Sequence, residues 1–282
     1  MSQLPPSANS PSLLRKVVSR SLRLASQAAS LAINNVIVNN VAIAVGLESR
    51  LKAWQHPYRT FRPSSSKKIQ ENAGFSDRPE INEVVERMHA DLAQVAAGCA
   101  ASHPGRRLRS LDIGCGPGLY LKDFSTESWD VTGLDMNTGM CELAQQSCPS
   151  ATIIQGNFLI DEIGVPFDLI YSIGVLEYIE RSALDRFFQK IARSLHPGGM
   201  VFINYPHAVS RWDLWYPDLT YIQFSPPLVQ KIASRHLEIV EHRHSIDQRS
   251  VGQIDETPYA SQNAQTNKSF RNSTVLIARR PA

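Results

Sequence analysis

The chain has few cysteines, and their positions match no metal site. The four thiols, Cys99, Cys115, Cys141 and Cys148, stand at spacings unlike those of zinc ligands. Nothing else about them indicates a disulfide framework. We therefore expect four reduced thiols, no bound metal and a cytoplasmic protein.

The sequence has no hydrophobic run long enough to cross a bilayer. The best candidate, residues 32–46, is interrupted by four asparagines, and buried amides are costly inside a membrane. Internal repeats and long low-complexity tracts are also missing. The hydrophobic content of 43% over 282 residues is ample for one α/β domain with an extension.

Acidic residues are almost absent from the first 70 positions. Glu48 stands there alone against ten Lys and Arg, which gives that segment a formal charge of +9. The other 212 residues hold 19 basic and 25 acidic side chains, a charge of −6. Because an acidic body is poorly suited to a phosphate backbone, we do not expect nucleic acid as a partner.

Residues 12–32 have the pattern of a basic amphipathic helix, with leucines and valines on one side and arginines between them. We expect residues 1–70 to form a basic N-terminal helical arm and linker, followed by one domain over residues 71–282. Three interpretations of the arm stay open: a helical cap or oligomer contact, a helix on a membrane surface, and an organellar targeting segment. The oligomeric state is not indicated.

The most informative segment, residues 111–118, reads Leu-Asp-Ile-Gly-Cys-Gly-Pro-Gly. Its apolar start predicts a buried strand, its glycines allow close backbone approach to a ligand, and residues 119–121 are expected to open a helix. A second strand over residues 129–135 ends in Asp135, which can accept hydrogen bonds from both hydroxyls of a ribose. The dinucleotide fingerprint fails, because Leu119 replaces its third glycine and Asp112 precedes the first. Asp112 suits a cationic ligand better than a pyrophosphate.

These residues resemble the class I S-adenosylmethionine-dependent methyltransferases of the small-molecule type, such as those of quinone biosynthesis. Residues 151–158 resemble the third strand of that family and its adenine-contacting end, with Asn157 where Asp is usual. Residues 167–178 resemble the fourth strand and a Gly-Val-Leu-Glu-His signature, with Tyr178 in place of His. Residues 195–199, Leu-His-Pro-Gly-Gly, resemble the turn before the fifth strand. The likeness covers roughly residues 80–278.

The resemblance implies S-adenosyl-L-methionine as cofactor and assigns roles to particular residues. Asp112 would orient the loop and the amino-acid part of the cofactor, Asp135 would hold the ribose, and Met136 would pack on adenine. Glu177 and Tyr178 would lie beside the transferred methyl group. The other implied cofactor-binding residues are Gly114, Cys115, Gly116, Gly118, Gly156, Asn157, Phe158, Ser172 and Ile173.

The alternating order of elements predicts an α/β, Rossmann-like doubly wound sheet of seven strands, mostly parallel with the last strand antiparallel. A polar excursion is expected at residues 247–272. Strands are predicted at residues 109–114, 130–135, 151–155, 167–172, 200–205, 237–243 and 274–278, and helices at 78–97, 118–124, 138–147 and 182–195.

The sequence indicates less about the methyl acceptor than about the cofactor. Aromatic residues between positions 205 and 224 suit an apolar or aromatic small molecule, although the same rings would also fit a core patch under a loop. His207 follows the fifth strand and is the best candidate for a general base. His242 and His244 alternate onto one strand face, but two histidines do not make a metal site.

We expect a methyltransferase that favours an oxygen acceptor on a small molecule. The alternative is a non-catalytic, methyltransferase-like cofactor-binding or scaffold protein docked through its basic arm. If the arm is a targeting segment or a membrane-surface helix, the protein would be located in an organelle or at a membrane surface instead of the cytoplasm. A block typical of enzymes that methylate amino groups of bases, Asn/Asp-Pro-Pro-Tyr/Phe, is not present, so that reaction is disfavoured.

Overall fold

A computed structural model describes residues 79–124, 126–164, 166–207, 224–245 and 273–282. Within these ranges, seven strands form one sheet in the order β3-β2-β1-β4-β5-β7-β6. The strands are β1 (Leu108–Ile113), β2 (Trp129–Asp135), β3 (Thr152–Gln155), β4 (Phe167–Ile173), β5 (Leu195–Pro206), β6 (Glu238–His244) and β7 (Ser273–Arg279). The first five strands are parallel, and β7 runs antiparallel to β5 and β6. The predicted fold class is confirmed.

Helices cover both faces of the sheet. They are α1 (Pro79–Ser102), α2 (Thr138–Ser147), α3 (Leu184–Ser194) and α4 (Pro226–Ala233). Met88 and Leu92 of α1 belong to one core cluster with Leu169 of β4, whereas the next residue of that strand, Ile170, packs in a second cluster with the apolar side of α3. This division follows from the alternation of side chains along a strand. Each large side chain buried in this way contributes about 1.5–3 kcal/mol to stability.

The strand order reverses between β1 and β4, which creates a crevice at the carboxyl ends of these strands. In the sheet register, Asp112 of β1 lies between Gly133 of β2 and Tyr171 of β4. A Cβ at Gly133 would come within 2.9 Å of the Cys115 sulfur, so this glycine lets the loop after β1 lie directly on β2. The topology thus brings the ends of β1, β2 and β4 together.

The helix expected at residues 118–124 is wrong. The segment forms only a 3₁₀ turn, Leu121–Asp123, because Phe124 turns extended and packs its ring against Trp129 and Tyr171. The loop is instead held by α2, whose Ser147 hydroxyl donates to the Pro117 carbonyl at 2.7 Å. The loop after β1 is therefore followed by a short turn and not by the start of an α-helix.

Other boundaries differ less from the predictions. Helix α1 extends to Ser102, β5 begins at Leu195, and α4 was not predicted. The helical arm over residues 1–70, most of the aromatic acceptor segment and the excursion at 247–272 lie outside the described residues. No helix within the described ranges is long and apolar enough to cross a membrane.

Candidate functional site

The loop after β1 is fixed to the neighbouring strand by its own backbone. The amides of Gly114 and Cys115 both donate to the Leu134 carbonyl, at 2.7 and 3.0 Å. Gly114 has a φ of 76°, and a Cβ there would lie 2.3 Å from a methyl carbon of Val175, so the loop packs directly on the segment after β4. At Gly116, with a φ of 51°, a Cβ would meet no atom of the described residues within 4 Å. Gly116 therefore borders the open crevice.

Asp135 joins the loop to the two strands beside it. Its carboxylate accepts from the Gly116 amide at 3.0 Å and from the Asn137 amide at 2.8 Å. Its own carbonyl accepts from the Gly156 amide at 2.9 Å, which ties in the end of β3. A carboxylate held in this way by backbone amides is the kind of acceptor that the hydroxyls of a ligand require.

Asp112 is the unusual charge of the site. Its side chain is only 2% exposed, and among the described residues no hydrogen-bond donor reaches its Oδ2 atom. Burial, and then the negative charges of Asp135 and Asp123, raise the pKa of Asp112 well above its usual value. A buried carboxylate without a partner costs stability, and a cationic ligand beside it would remove that cost.

Cys115 lies within the same loop but has the wrong properties for a nucleophile. Burial, followed by the negative charges of Asp112 and Asp135, raises the pKa of its thiol. The thiol therefore stays protonated near neutral pH. None of the four cysteines, all of which lie within the described ranges, forms a disulfide.

The end of β4 lies directly beside the loop. The Ser172 hydroxyl donates to the Ile113 carbonyl at 3.2 Å, and Ile173 is half-buried beside it. Glu177 sits in the 3₁₀ turn Leu176–Tyr178 with a buried side chain whose Oε1 would lie 3.6 Å from a Cβ built on Gly174. Tyr178 of the same turn is 41% exposed. The structure therefore brings Glu177 to the same end of the sheet as the glycine loop.

The residues after β3 that were predicted to contact adenine differ in how deeply their side chains are buried. The side-chain oxygen of Asn157 accepts from the Leu159 amide at 3.0 Å, so the carboxamide nitrogen is the group it can offer to a ligand. Phe158 is a core residue, whose ring packs edge-on to Phe187 with centroids 5.5 Å apart. Phe158 thus has little side-chain surface left for adenine. Met136, directly after β2, is half-buried.

His207 follows β5, as the sequence indicates, but its side chain is buried and not at an open rim. It is 2% exposed, with Nδ1 2.8 Å from the Thr274 hydroxyl and the ring 5.4 Å from that of His244. Thr274 and Gln230, which contact His207 and His242, were not predicted from the sequence. No local signal pointed to them, because strand pairing and helix packing bring them to the histidines. Across the described ranges, no group of three or more His, Cys, Asp and Glu is arranged to hold a metal.

Comparison with known proteins finds one family model that matches the central part of the chain. Residues 111–199 match the family model of a methyltransferase domain. A dTDP-4-amino-2,3,4,6-tetradeoxy-D-glucose N,N-dimethyltransferase from Saccharopolyspora spinosa is 31% identical over 140 residues, covering 48% of this chain and 51% of that protein. A ubiquinone biosynthesis O-methyltransferase from Mesorhizobium japonicum is 29% identical over 113 residues, covering 36% and 43%. The chain thus spans about half the length of the curated relatives it matches.

Solved structures share the fold at low sequence identity. The N-methyltransferase NodS from Bradyrhizobium japonicum, in complex with S-adenosyl-l-homocysteine, superposes with a TM-score of 0.51 at 19% identity, covering 73% of this chain and 90% of that one. Magnesium protoporphyrin IX methyltransferase from Synechocystis, with bound S-adenosylmethionine, gives 0.52 at 14%, covering 83% and 96%. At these identities the likeness shows the fold alone.

Proposed function

We propose that this protein, whose residues 111–199 match the family model of a methyltransferase domain, transfers a methyl group from S-adenosyl-L-methionine to a small molecule. The observation that carries the proposal is the buried carboxylate of Asp112, which has an unpartnered oxygen beside a glycine loop that borders open space. A cofactor with a positive α-ammonium group and no phosphate matches that charge.

The residues present fit such a cofactor in three respects. Asp112 offers a negative charge for the amino-acid part, Asp135 offers a carboxylate, the acceptor type that ribose hydroxyls need, and Gly116 leaves room at the crevice. When bound, S-adenosylmethionine supplies the methyl group as an electrophile, because the methyl–sulfur bond breaks with its electrons returning to the positive sulfur. The chain itself binds and aligns the reactants, which is where most of the rate enhancement of such a displacement arises.

An oxygen acceptor on an apolar or aromatic molecule is the favoured substrate class. Hydroxyl groups must lose a proton on methylation, and His207 at the carboxyl end of β5 is the group that would accept it. The likeness to an O-methyltransferase supports this choice. The likeness to an N,N-dimethyltransferase makes an amine the second candidate.

Cofactor binding is tested by calorimetric titration of the full chain with S-adenosylhomocysteine. We expect saturable binding that weakens by about an order of magnitude or more in Asp135→Ala, since two hydrogen bonds to ribose are lost. Asp135→Asn is the matched variant, because it keeps one side-chain oxygen for the backbone amides. Tight binding of a nicotinamide dinucleotide, with no affinity for S-adenosylhomocysteine, would overturn the proposal.

The acceptor is identified by supplying S-adenosylmethionine with a labelled methyl group to three panels of compounds: phenols and quinols, carboxylic acids, and amino sugars. Labelled product from the first panel, lost in His207→Gln, is the expected result. Product from the amino sugars alone would assign nitrogen as the acceptor atom. An enzyme that binds cofactor tightly and labels none of the panels would contradict the proposed substrate class.

A further inference from the structure

The turn after β3 carries an acidic side chain, Asp161, that folds back against the end of the strand. Asp161 Oδ2 accepts from the Asn157 amide at 2.7 Å, and the Asn157 carbonyl accepts from the Asp161 amide at 2.9 Å. A Cβ built on Gly156 would lie 2.9 Å from the same Oδ2 atom, so the carboxylate lies in space that this glycine leaves open. The Gly156 amide donates to the Asp135 carbonyl at 2.9 Å. Asp161 is thus held beside the contact that joins β3 to Asp135.

The order of the strands indicates which part of the cofactor this turn would meet. Strands β3, β2 and β1 are neighbours in the sheet. In the proposed function, Asp112 at the end of β1 takes the amino-acid part of the cofactor, and Asp135 at the end of β2 takes the ribose. The base and the amino-acid part are attached to opposite ends of the ribose. The base therefore extends from Asp135 toward the end of β3 and the turn after it.

The hydrogen bonds inside the turn determine which groups it can offer to a base. Asn157 Oδ1 accepts from the Leu159 amide at 3.0 Å, so the carboxamide of Asn157 presents its NH₂ group, which is a donor. The Phe158 amide, a second donor, takes part in none of the hydrogen bonds that shape the turn. Asp161 uses Oδ2 for the Asn157 amide, and the other oxygen of its carboxylate, Oδ1, is an acceptor. Asp161 is also an exposed residue, so a ligand can reach it.

Helix α3 holds the backbone of Asp161 in place. The Lys190 ammonium group donates to the Asp161 carbonyl at 2.6 Å and lies 5.4 Å from the centre of the Phe158 ring. The amide, the carbonyl and the carboxylate of Asp161 therefore each have a contact that fixes them. A side chain ordered in this way before the ligand arrives loses little conformational entropy on binding.

Adenine needs an acceptor and a donor from the protein, because its amine at C6 donates hydrogen bonds and its ring nitrogen N1 accepts one. We propose that Asp161 selects an adenine base by accepting from this amine with Oδ1. The inference deepens the proposed function and rests on it. Asn157 is unsuited to this role, since its side-chain oxygen is already used by the Leu159 amide. Hypoxanthine, which has an oxygen at C6 and a hydrogen on N1, would place an acceptor against the carboxylate and is disfavoured.

Asp161→Asn tests the proposal because it keeps the turn and changes the group that faces the base. The oxygen of the new carboxamide must accept from the Asn157 amide, which leaves its NH₂ group, a donor, for the base. Calorimetric titration of the full chain compares S-adenosylhomocysteine with S-inosylhomocysteine, which carries hypoxanthine. The unmodified protein should bind the adenosyl compound at least about ten-fold more tightly, and Asp161→Asn should lower this ratio by about ten-fold, the effect of one hydrogen bond to a charged group.

Two further variants separate the hydrogen bond from the charge. Glu162→Gln removes a negative charge from the next residue, which is also exposed, and should leave the ratio unchanged. Gly156→Ala keeps every charge but places a methyl group against Asp161 Oδ2, so it should displace the carboxylate and lower the ratio as Asp161→Asn does. The displaced atom is the end of a flexible side chain, and thermal melting checks that both variants stay folded.

The outcomes distinguish this assignment from the proposed function. A ratio that is unchanged in Asp161→Asn, or that Glu162→Gln lowers by as much, would overturn the role of Asp161 while leaving cofactor binding intact. No binding of S-adenosylhomocysteine by the unmodified chain would overturn the proposed function and the base selection together. A lower ratio in Asp161→Asn and Gly156→Ala, with tight binding by the unmodified chain, is the result expected.

Discussion

Replacing Asp112 with asparagine should make the protein more stable and its cofactor site weaker. The carboxylate is buried, its Oδ2 lacks a partner among the described residues, and its pKa is raised by burial and by two neighbouring acids. Removing this charge should increase the free energy of unfolding by roughly 1–2 kcal/mol, part of the cost of an unsatisfied buried group. Losing a charge-assisted hydrogen bond to an ammonium group should weaken S-adenosylhomocysteine binding by roughly 10- to 100-fold.

The stabilisation should depend on pH with a definite sign. Because the pKa of Asp112 is raised in the folded state, the penalty for its charge is absent below the pKa of the unfolded carboxyl, about 4, and grows as pH rises. The gain in Asp112→Asn should therefore be larger near neutral pH than in acid. Urea titrations at both pH values, with calorimetry at neutral pH, measure the two effects on the same samples.

The control is Asp168→Asn at the other end of the sheet. Asp168 is also buried, but its carboxylate accepts from Arg106 at 2.5 Å and from the Arg109 amide at 2.9 Å. This variant should lose stability by about 1–3 kcal/mol and keep its affinity for S-adenosylhomocysteine. If Asp112→Asn behaved in the same way, with lower stability and unchanged affinity, Asp112 would be a structural residue and the argument for a cationic ligand would fail.

Three further predictions concern stability. Gly114→Ala should lower the free energy of unfolding by about 2–3 kcal/mol more than Gly164→Ala. Both glycines have a positive φ, 76° and 88°, but a Cβ on Gly114 would lie 2.3 Å from a side-chain carbon, whereas one on Gly164 would meet nothing within 4 Å. Guanidinium denaturation of both variants measures the difference, and equal losses of stability would exclude the clash. Because the folded-state pKa of His242 is about 4 and its unfolded value is near 6.5, the unfolded state binds more protons between these values, so stability should fall by up to about 3 kcal/mol as pH drops from 6.5 to 4. His242→Gln should flatten that part of the urea profile, and an unchanged slope would contradict the pKa. Arg243→Met should cost about 3–5 kcal/mol, because it removes the buried guanidinium 3.0 Å from Asp91 and leaves this buried carboxylate with only the exposed Arg87, 3.7 Å away. The double variant with Asp91→Leu should recover most of this loss in thermal melts, and failure to recover it would show that the pair itself is not the cause.

Local sequence signals were sufficient to predict those helices and strands whose bounds are set by their own residues. The bounds of α2 follow from Asn137, whose side chain accepts from the Met140 amide, and the buried strands β1 and β2 follow from apolar runs that end in Asp112 and Asp135. The 3₁₀ turn was mistaken for a helix because the cause of its early end, the packing of Phe124, is a tertiary contact. Helical periodicity carries no information about such a contact.

In the candidate site, too, local features could be predicted from the sequence and long-range contacts could not. Glycine spacing and the two acids predict the loop from one short stretch of sequence. Two hydrogen bonds near His207 join residues that are far apart in the sequence: Tyr205 and His242 are 37 positions apart, and His207 and Thr274 are 67. Only the strand order, in which β7 lies between β5 and β6, brings them together. The identity of His207 as a candidate could therefore be predicted, but its buried surroundings could not.

The placement of β7 also has a consequence for how the chain acquires its structure. Among the described residues, β7 follows the other six strands in chain order, yet it sits between β5 and β6 and pairs with both. Until residues 273–279 are in place, β5 presents an open edge and β6 has no neighbour to pair with, a state in which other chains can add to the sheet. Closure of the sheet between β5 and β6 and the contact of His207 with Thr274 consequently both depend on residues 273–279.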